Sequence, residues 1–134
     1  MPGLLLIAHA PLASAMKAVA EHTFPNCAPQ LAVLDVSPEM SAEEVEVAAR
    51  ALLAGAGHEE ALVLTDVFGA TPCNGALRLQ GPHVRVVSGV NVPMLWRSLC
   101  YANEPLEDLA ERASQGGVRG IVLNEIPVNP CSKP

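Results

Sequence analysis

Leu4-Leu5-Leu6-Ile7-Ala8-His9-Ala10-Pro11-Leu12 is the stretch that decides the fold. An apolar run too short for a helix ends on a histidine, and a proline follows two positions later. Leu12, Met16 and Val19 then recur at helical spacing. A buried strand that turns directly into a helix points its last side chain at the helix N-terminus. Unpaired backbone N–H groups and the positive end of the helix dipole attract anions there. Imidazole is also the side chain best suited to exchange a proton or accept a phosphoryl group near neutral pH.

The same pattern returns further along. Ala61-Leu62-Val63-Leu64-Thr65 reads as a second buried strand ending at Asp66, followed by Val67-Phe68-Gly69-Ala70. Thr71 as N-cap and Pro72 as first helical residue open a short helix that ends at Gly81. An acid at one strand end and a histidine at another meet if the strands are neighbours. A carboxylate bonded to one ring nitrogen then fixes the tautomer and leaves the other nitrogen as nucleophile.

The rest of the chain alternates in the same way. Strands are expected at 3–8, 31–36, 61–65 and 84–88. A helix over 12–23 stops before Pro25, and Ser41-Ala42-Glu43-Glu44 is a capping box for a helix that ends at Gly55 and Gly57. Asn91-Val92-Pro93-Met94 starts another helix, and Pro105 opens one more that Gly116-Gly117 closes. Val118 to Ile126 reads as a last strand. Residues 1–128 form one domain and 129–134 a loose tail.

Near-continuous apolar strands between amphipathic helices imply a parallel sheet covered on both faces, a doubly wound α/β fold. Ligands on such sheets bind beyond the carboxyl ends of the strands, where the strand order reverses. In a 2-1-3-4 order that point lies between the first and third strands, which end at His9 and Asp66. Gly69-Ala70-Thr71-Pro72 is neither a dinucleotide fingerprint nor a P-loop, which argues against a nucleotide enzyme.

Composition narrows the function further. The 134 residues are 50% hydrophobic but only 3% aromatic, so the core is aliphatic. A net charge of −6 without a basic run argues against nucleic-acid binding. No stretch matches a membrane span or a signal peptide, so the expected compartment is the cytoplasm. Cys27, Cys73, Cys100 and Cys131 form no CxxC pair and no ligand cluster with His22, His58 or His83, so neither a metal nor another cofactor is expected.

Three motifs together resemble the enzyme IIA component of the mannose-type bacterial phosphotransferase system. They are His9 after its strand, Leu64-Thr65-Asp66-Val67-Phe68-Gly69-Ala70-Thr71-Pro72-Cys73-Asn74, and Ser88-Gly89-Val90-Asn91-Val92-Pro93-Met94-Leu95. The resemblance covers about residues 3–125. It implies a flavodoxin-like fold with a last antiparallel strand exchanged across a homodimer, and Val118–Ile126 is the candidate for that strand. It implies a protein that takes a phosphoryl group from the histidine-containing phosphocarrier protein and passes it to a IIB component, meeting the membrane only through such partners. His9 matches the histidine phosphorylated on Nε2, and Asp66 the aspartate that hydrogen-bonds its Nδ1. Many members carry a second glycine where this chain has Ala70, and alanine would be strained if that position needed positive φ.

The chemistry assigns the remaining residues. Pro11 has no N–H, so Leu12 and Ala13 supply the first helix amides able to meet a phosphate. Phe68, Gly69 and Thr71 supply the opposite side, Thr71 through its hydroxyl. Phe68, Pro93, Met94 and Trp96 are the expected docking rim, with core packing as their other reading. Two rival classes stand beside this one. One is a hydrolase pairing His9 and Asp66 with Ser88 or Cys73 as nucleophile, and the other is a flavodoxin-like regulatory module that binds a partner without being phosphorylated.

Overall fold

A computed structural model describes residues 1–126. Four strands, β1 (Gly3–His9), β2 (Leu31–Val36), β3 (Ala61–Thr65) and β4 (Val84–Ser88), form one parallel sheet in the order β2-β1-β3-β4. Five helices connect and follow them: α1 (Leu12–Thr23), α2 (Ala42–Ala56), α3 (Thr71–Leu77), α4 (Val92–Cys100) and α5 (Leu106–Arg119). The expected doubly wound sheet and its strand order are those observed.

Strand alternation sorts the core into two layers. Leu4, Leu6 and Ala8 of β1 pack with Met16 of α1, Leu95 of α4 and Leu109 of α5. Leu5 and Ile7 point the other way, to Val45 of α2 and Ala76 of α3. β1 is central and covered on both sides, so it needs apolar residues at every position. Each fully buried leucine of this kind contributes about 1.5–3 kcal/mol.

Local signals explain most helix ends. Ser41 and Glu44 form a reciprocal capping box at the start of α2, and Gly57, at φ 75°, ends it in the left-handed conformation. Asn91 caps α4 by accepting the Met94 N–H. The start of α3 differs from the sequence reading. Ala70 is its N-cap and Thr71 its first residue, because Ala70 is extended (φ −94°) and its carbonyl accepts the Asn74 N–H. The helix also ends at Leu77 rather than Gly81. The positive φ of this loop falls on Gly69, at 92°, so alanine at position 70 costs no strain.

The larger correction is at the C-terminal end. Gly116 and Gly117 do not close α5; the helix runs through them to Arg119. A Cβ on Gly116 would lie 2.8 Å from Cβ of Arg97, and one on Gly117 2.8 Å from Cε of Met94. These glycines let α5 approach α4 closely, and Asn91 locks the pair by donating to the Gly117 carbonyl at 3.0 Å. Val118 and Arg119 are therefore helical, and residues 121–126 hold no strand in the single chain. The tail at 129–134, the domain end at 128 and Cys131 lie outside the described residues.

Gly75 performs the same service between α3 and α2. A Cβ there would sit 2.5 Å from Cβ of Val45 and 3.0 Å from the Ala42 carbonyl oxygen, neither of which yields easily. Glycine to alanine inside a helix ordinarily stabilises by about 1 kcal/mol. We expect Gly75→Ala to destabilise instead, by about 1–3 kcal/mol, through overpacking. Urea denaturation checks the sign, and a gain in stability would refute this packing argument.

Candidate active site

β1 and β3 are neighbours, and their ends deliver the two candidate residues side by side. The His9 backbone N–H donates to Oδ2 of Asp66 at 2.9 Å. His9 Nδ1 lies 2.6 Å from the same oxygen. The other oxygen, Oδ1, accepts the Val67 N–H at 2.9 Å. An ionised carboxylate only accepts hydrogen bonds, so the proton between the two groups belongs to Nδ1. The lone pair of the neutral imidazole is then on Nε2. The His9 side chain is 52% exposed and that of Asp66 only 11%. A half-exposed imidazole is thus anchored on a largely buried carboxylate.

Electrostatics agree with this assignment. Burial is the largest influence on Asp66 and raises its pKa. The His9 N–H, the imidazole and the Val67 N–H together outweigh it and hold the carboxyl below its ordinary 3.8. A carboxylate whose pKa is depressed by folding stabilises the native state above its unfolded pKa, and that contribution is lost as pH falls through the folded value. Between about pH 6 and about pH 3 the native protein should therefore lose more urea resistance than Asp66→Asn, which has no such proton to gain. Parallel losses in the two proteins would contradict the depressed pKa.

Phe68, Gly69 and Thr71 follow Asp66 in the loop that joins β3 to α3. Gly69 turns the chain at φ 92°, and its carbonyl accepts a bond from the Asn74 side chain at 3.4 Å. Phe68 is 76% exposed and Val67 and Leu12 are also exposed, each within three residues of the end of β1 or β3. On the opposite side, Ala13 is fully buried and the Ser14 N–H is taken by Asp35 Oδ1 at 3.1 Å. The Ser14 hydroxyl also donates to Asp35. Asp35 thus serves as the missing cap of α1, whose preceding residue is a proline. The sequence reading passed over Asp35, although a lone acid in the otherwise apolar Leu31–Val36 strand was a visible signal.

The expected docking rim is divided by the structure. Met94 is buried in the core against α5, so it cannot meet a partner. Trp96 packs edge-on against Phe24, with ring centroids 5.8 Å apart. Phe24 follows the last residue of α1, whereas His9 precedes its first turn. Twelve helical residues, about 18 Å, separate those ends. Pro93 packs beneath Gly120. Of the four, Phe68 is the most exposed, and it stands two residues after Asp66 in the chain.

The hydrolase reading needs Ser88 or Cys73 within hydrogen-bond reach of His9. Ser88 accepts from Thr65 at 3.2 Å and contacts Cys73 Sγ at 3.2 Å. Neither Ser88 nor Cys73 is hydrogen-bonded to His9 among the described residues. No group of three or more potential metal ligands occurs among the described residues. No helix among them is long and apolar enough to cross a membrane.

Comparison with known proteins decides the family. The profile described as "PTS system fructose IIA component" matches residues 3–113. The chain belongs to this family. It is similar to the mannose/sorbose-specific IIA subunit of Enterococcus faecalis, at 28% identity over 96% of this chain and 98% of that one, with a TM-score of 0.85. It is also similar to a phosphotransferase system EIIA component from Streptococcus agalactiae, at 25% identity, 91% and 96% coverage and a TM-score of 0.80. A IIA protein associated with a fucose utilization operon of Streptococcus pneumoniae shares 26% identity over 85% and 89%, with a TM-score of 0.68. No curated protein matches the chain. As a IIA protein of the mannose type, the chain is a phosphoryl carrier that works through a phosphohistidine.

Proposed function

We propose that His9 is the phosphorylated residue of this IIA protein and that its Nε2 carries the phosphoryl group. The observation that carries this reading is the 2.6 Å contact between Nδ1 and Asp66, which commits the proton to Nδ1. The Nε2 lone pair attacks the phosphorus of the donor's phosphohistidine. The donor P–N bond breaks and its electron pair returns to the donor ring. With Nδ1 still protonated, the phosphorylated His9 ring carries positive charge, and the Asp66 carboxylate balances it. Transfer to the acceptor reverses these steps. In phosphoryl transfer of this kind, positioning and charge stabilisation matter more than acid–base chemistry.

The phosphate oxygens are met by the N–H groups of Phe68 and Gly69, the Thr71 hydroxyl, and the Leu12 and Ala13 amides. The donor is the histidine-containing phosphocarrier protein and the acceptor a IIB component, both docking over Phe68 and the apolar side chains beside it. Incubation with the phosphocarrier protein, its upstream kinase and phosphoenolpyruvate tests this reading. The label should map to the peptide containing His9; a label on His22, His58 or His83 would overturn it.

We also propose that residues 1–128 are one IIA domain that works as a homodimer, with 129–134 as a tail. Two observations support it. Ile121, Val122, Leu123 and Ile126 are all exposed, Leu123 by 94%. β4 is an edge strand, and a cleft of about 580 Å³ lies between it and α5. An edge left bare and an apolar segment left bare are both liabilities that one strand exchange removes. The exchanged strand starts after Gly120, not at Val118. Sedimentation at micromolar concentration should give a dimer, and truncation after Gly120 should give monomers or aggregates. A monomeric full-length chain would exclude the exchange.

A further inference from the structure

The chain has four aromatic side chains, and three of them, Phe24, Trp96 and Tyr101, line a single surface cleft of about 480 Å³. In so aromatic-poor a chain that concentration calls for a reason. The cleft lies between the end of α1, α4 and the end of α5, and neither His9 nor Asp66 is among its walls. Its charge is as uneven as its rings. Arg50, Arg78, Arg85 and Arg112 are paired with carboxylates, and Lys17 donates to the Leu31 carbonyl. Arg97 and Arg119 have no carboxylate or carbonyl partner among the described residues, and both line this cleft.

The packing beneath holds one of these arginines in place. The stem of Arg97 lies across the bare backbone of Gly116, where a Cβ would come within 2.8 Å of it. Its guanidinium sits 5.8 Å from the centre of the Tyr101 ring. Glycine at 116 therefore sets the arginine down into the cleft wall. On a protein of net charge −6, two guanidiniums without carboxylate partners mark the place where an anion is attracted rather than repelled. Guanidinium groups match phosphate oxygens in bidentate fashion, and aromatic walls take a planar ring. The cleft's volume suits a small molecule rather than an extended chain.

We infer that this cleft binds a small phosphate ester carried on a planar ring, at a site separate from the phosphorylated histidine. Trp96 is the only tryptophan and stands in the cleft wall, so it reports binding directly. The test is a titration of the full chain with adenosine monophosphate and with phenyl phosphate, followed by Trp96 fluorescence and its indole N–H resonance. At least one ester should give a saturable response with a Kd below about 1 mM. Inorganic phosphate and adenosine should each bind at least about tenfold more weakly, because each supplies only half of the contacts. The double variant Arg97→Gln/Arg119→Gln should weaken the ester by at least about tenfold. Retained phosphorylation of that variant by the phosphocarrier system shows that it is folded. Three results would each overturn the inference: no saturable response to either ester at about 10 mM, equal affinity in the double variant, or a response to a glutamate-rich peptide and to neither ester. None of these readings depends on which histidine is phosphorylated.

Discussion

Replacing His9 by alanine should abolish phosphorylation by the phosphocarrier protein while leaving the fold standing. The side chain is half exposed at a strand end and packs into neither core layer. Its removal should therefore shift stability by no more than about 1 kcal/mol, part of it from Asp66 losing its imidazole partner. The chemical loss is of a different order, because neither Ser88 nor Cys73 is hydrogen-bonded to Asp66 among the described residues. Ser88 and Cys73 are tied to each other, and Cys73 is fully buried. Radiolabel from phosphoenolpyruvate should fall to background, with an unchanged far-ultraviolet circular dichroism spectrum as control. Full labelling of the variant would remove His9 from the mechanism.

Asp66→Asn should slow transfer by about one to three orders of magnitude. Asp66 accepts three hydrogen bonds, two on Oδ2 and one on Oδ1. An asparagine has one carbonyl oxygen and an NH2 group. If its oxygen faces His9, the NH2 meets the Val67 N–H, donor against donor. If its oxygen faces Val67, the NH2 meets Nδ1 and drives the ring to the tautomer with its proton on Nε2, where it blocks the nucleophile. In both orientations the negative charge that balances the phosphorylated ring is gone. Rapid-quench kinetics with phosphorylated carrier protein measure the effect. Transfer as fast as in the native protein would reduce Asp66 to a turn former.

The pairing of His9 with Asp66 was legible because both lie at ends of apolar runs, and strand order alone makes those ends neighbours. The four strands were legible for the same reason: short, mainly apolar runs with turn residues between them. They are broken only by Asp35 in β2 and Arg85 in β4, apart from Gly3, His9, Thr65 and Ser88 at their ends. Position 70 shows where local reasoning stops. Whether alanine fits there depends on which residue of the loop takes positive φ, and Gly69 alone absorbs it. Gly116-Gly117 misled for a physical reason. Glycine ends helices when the backbone needs freedom, and it sits inside them when another helix needs space; only the α4 contact tells the two apart. Two residues of the expected docking rim show the same ambiguity. Met94 and Trp96 lie two residues apart on α4, so one faces the core and the other the cleft at the far end of α1. Asp35 was overlooked because its partner, the Ser14 amide, lies 21 positions away in sequence.

The most direct test of the relay is the position of the phosphoryl group on the ring. Protein labelled with nitrogen-15 in its histidine rings, phosphorylated through the carrier protein and examined by nuclear magnetic resonance, reports both ring nitrogens of His9. Mass spectrometry should first show one acid-labile addition of about 80 Da. The ring spectrum should then show phosphorus bonded to Nε2, with the proton retained on Nδ1 and hydrogen-bonded to Asp66. Phosphorus on Nδ1, or on any other histidine, would contradict the account.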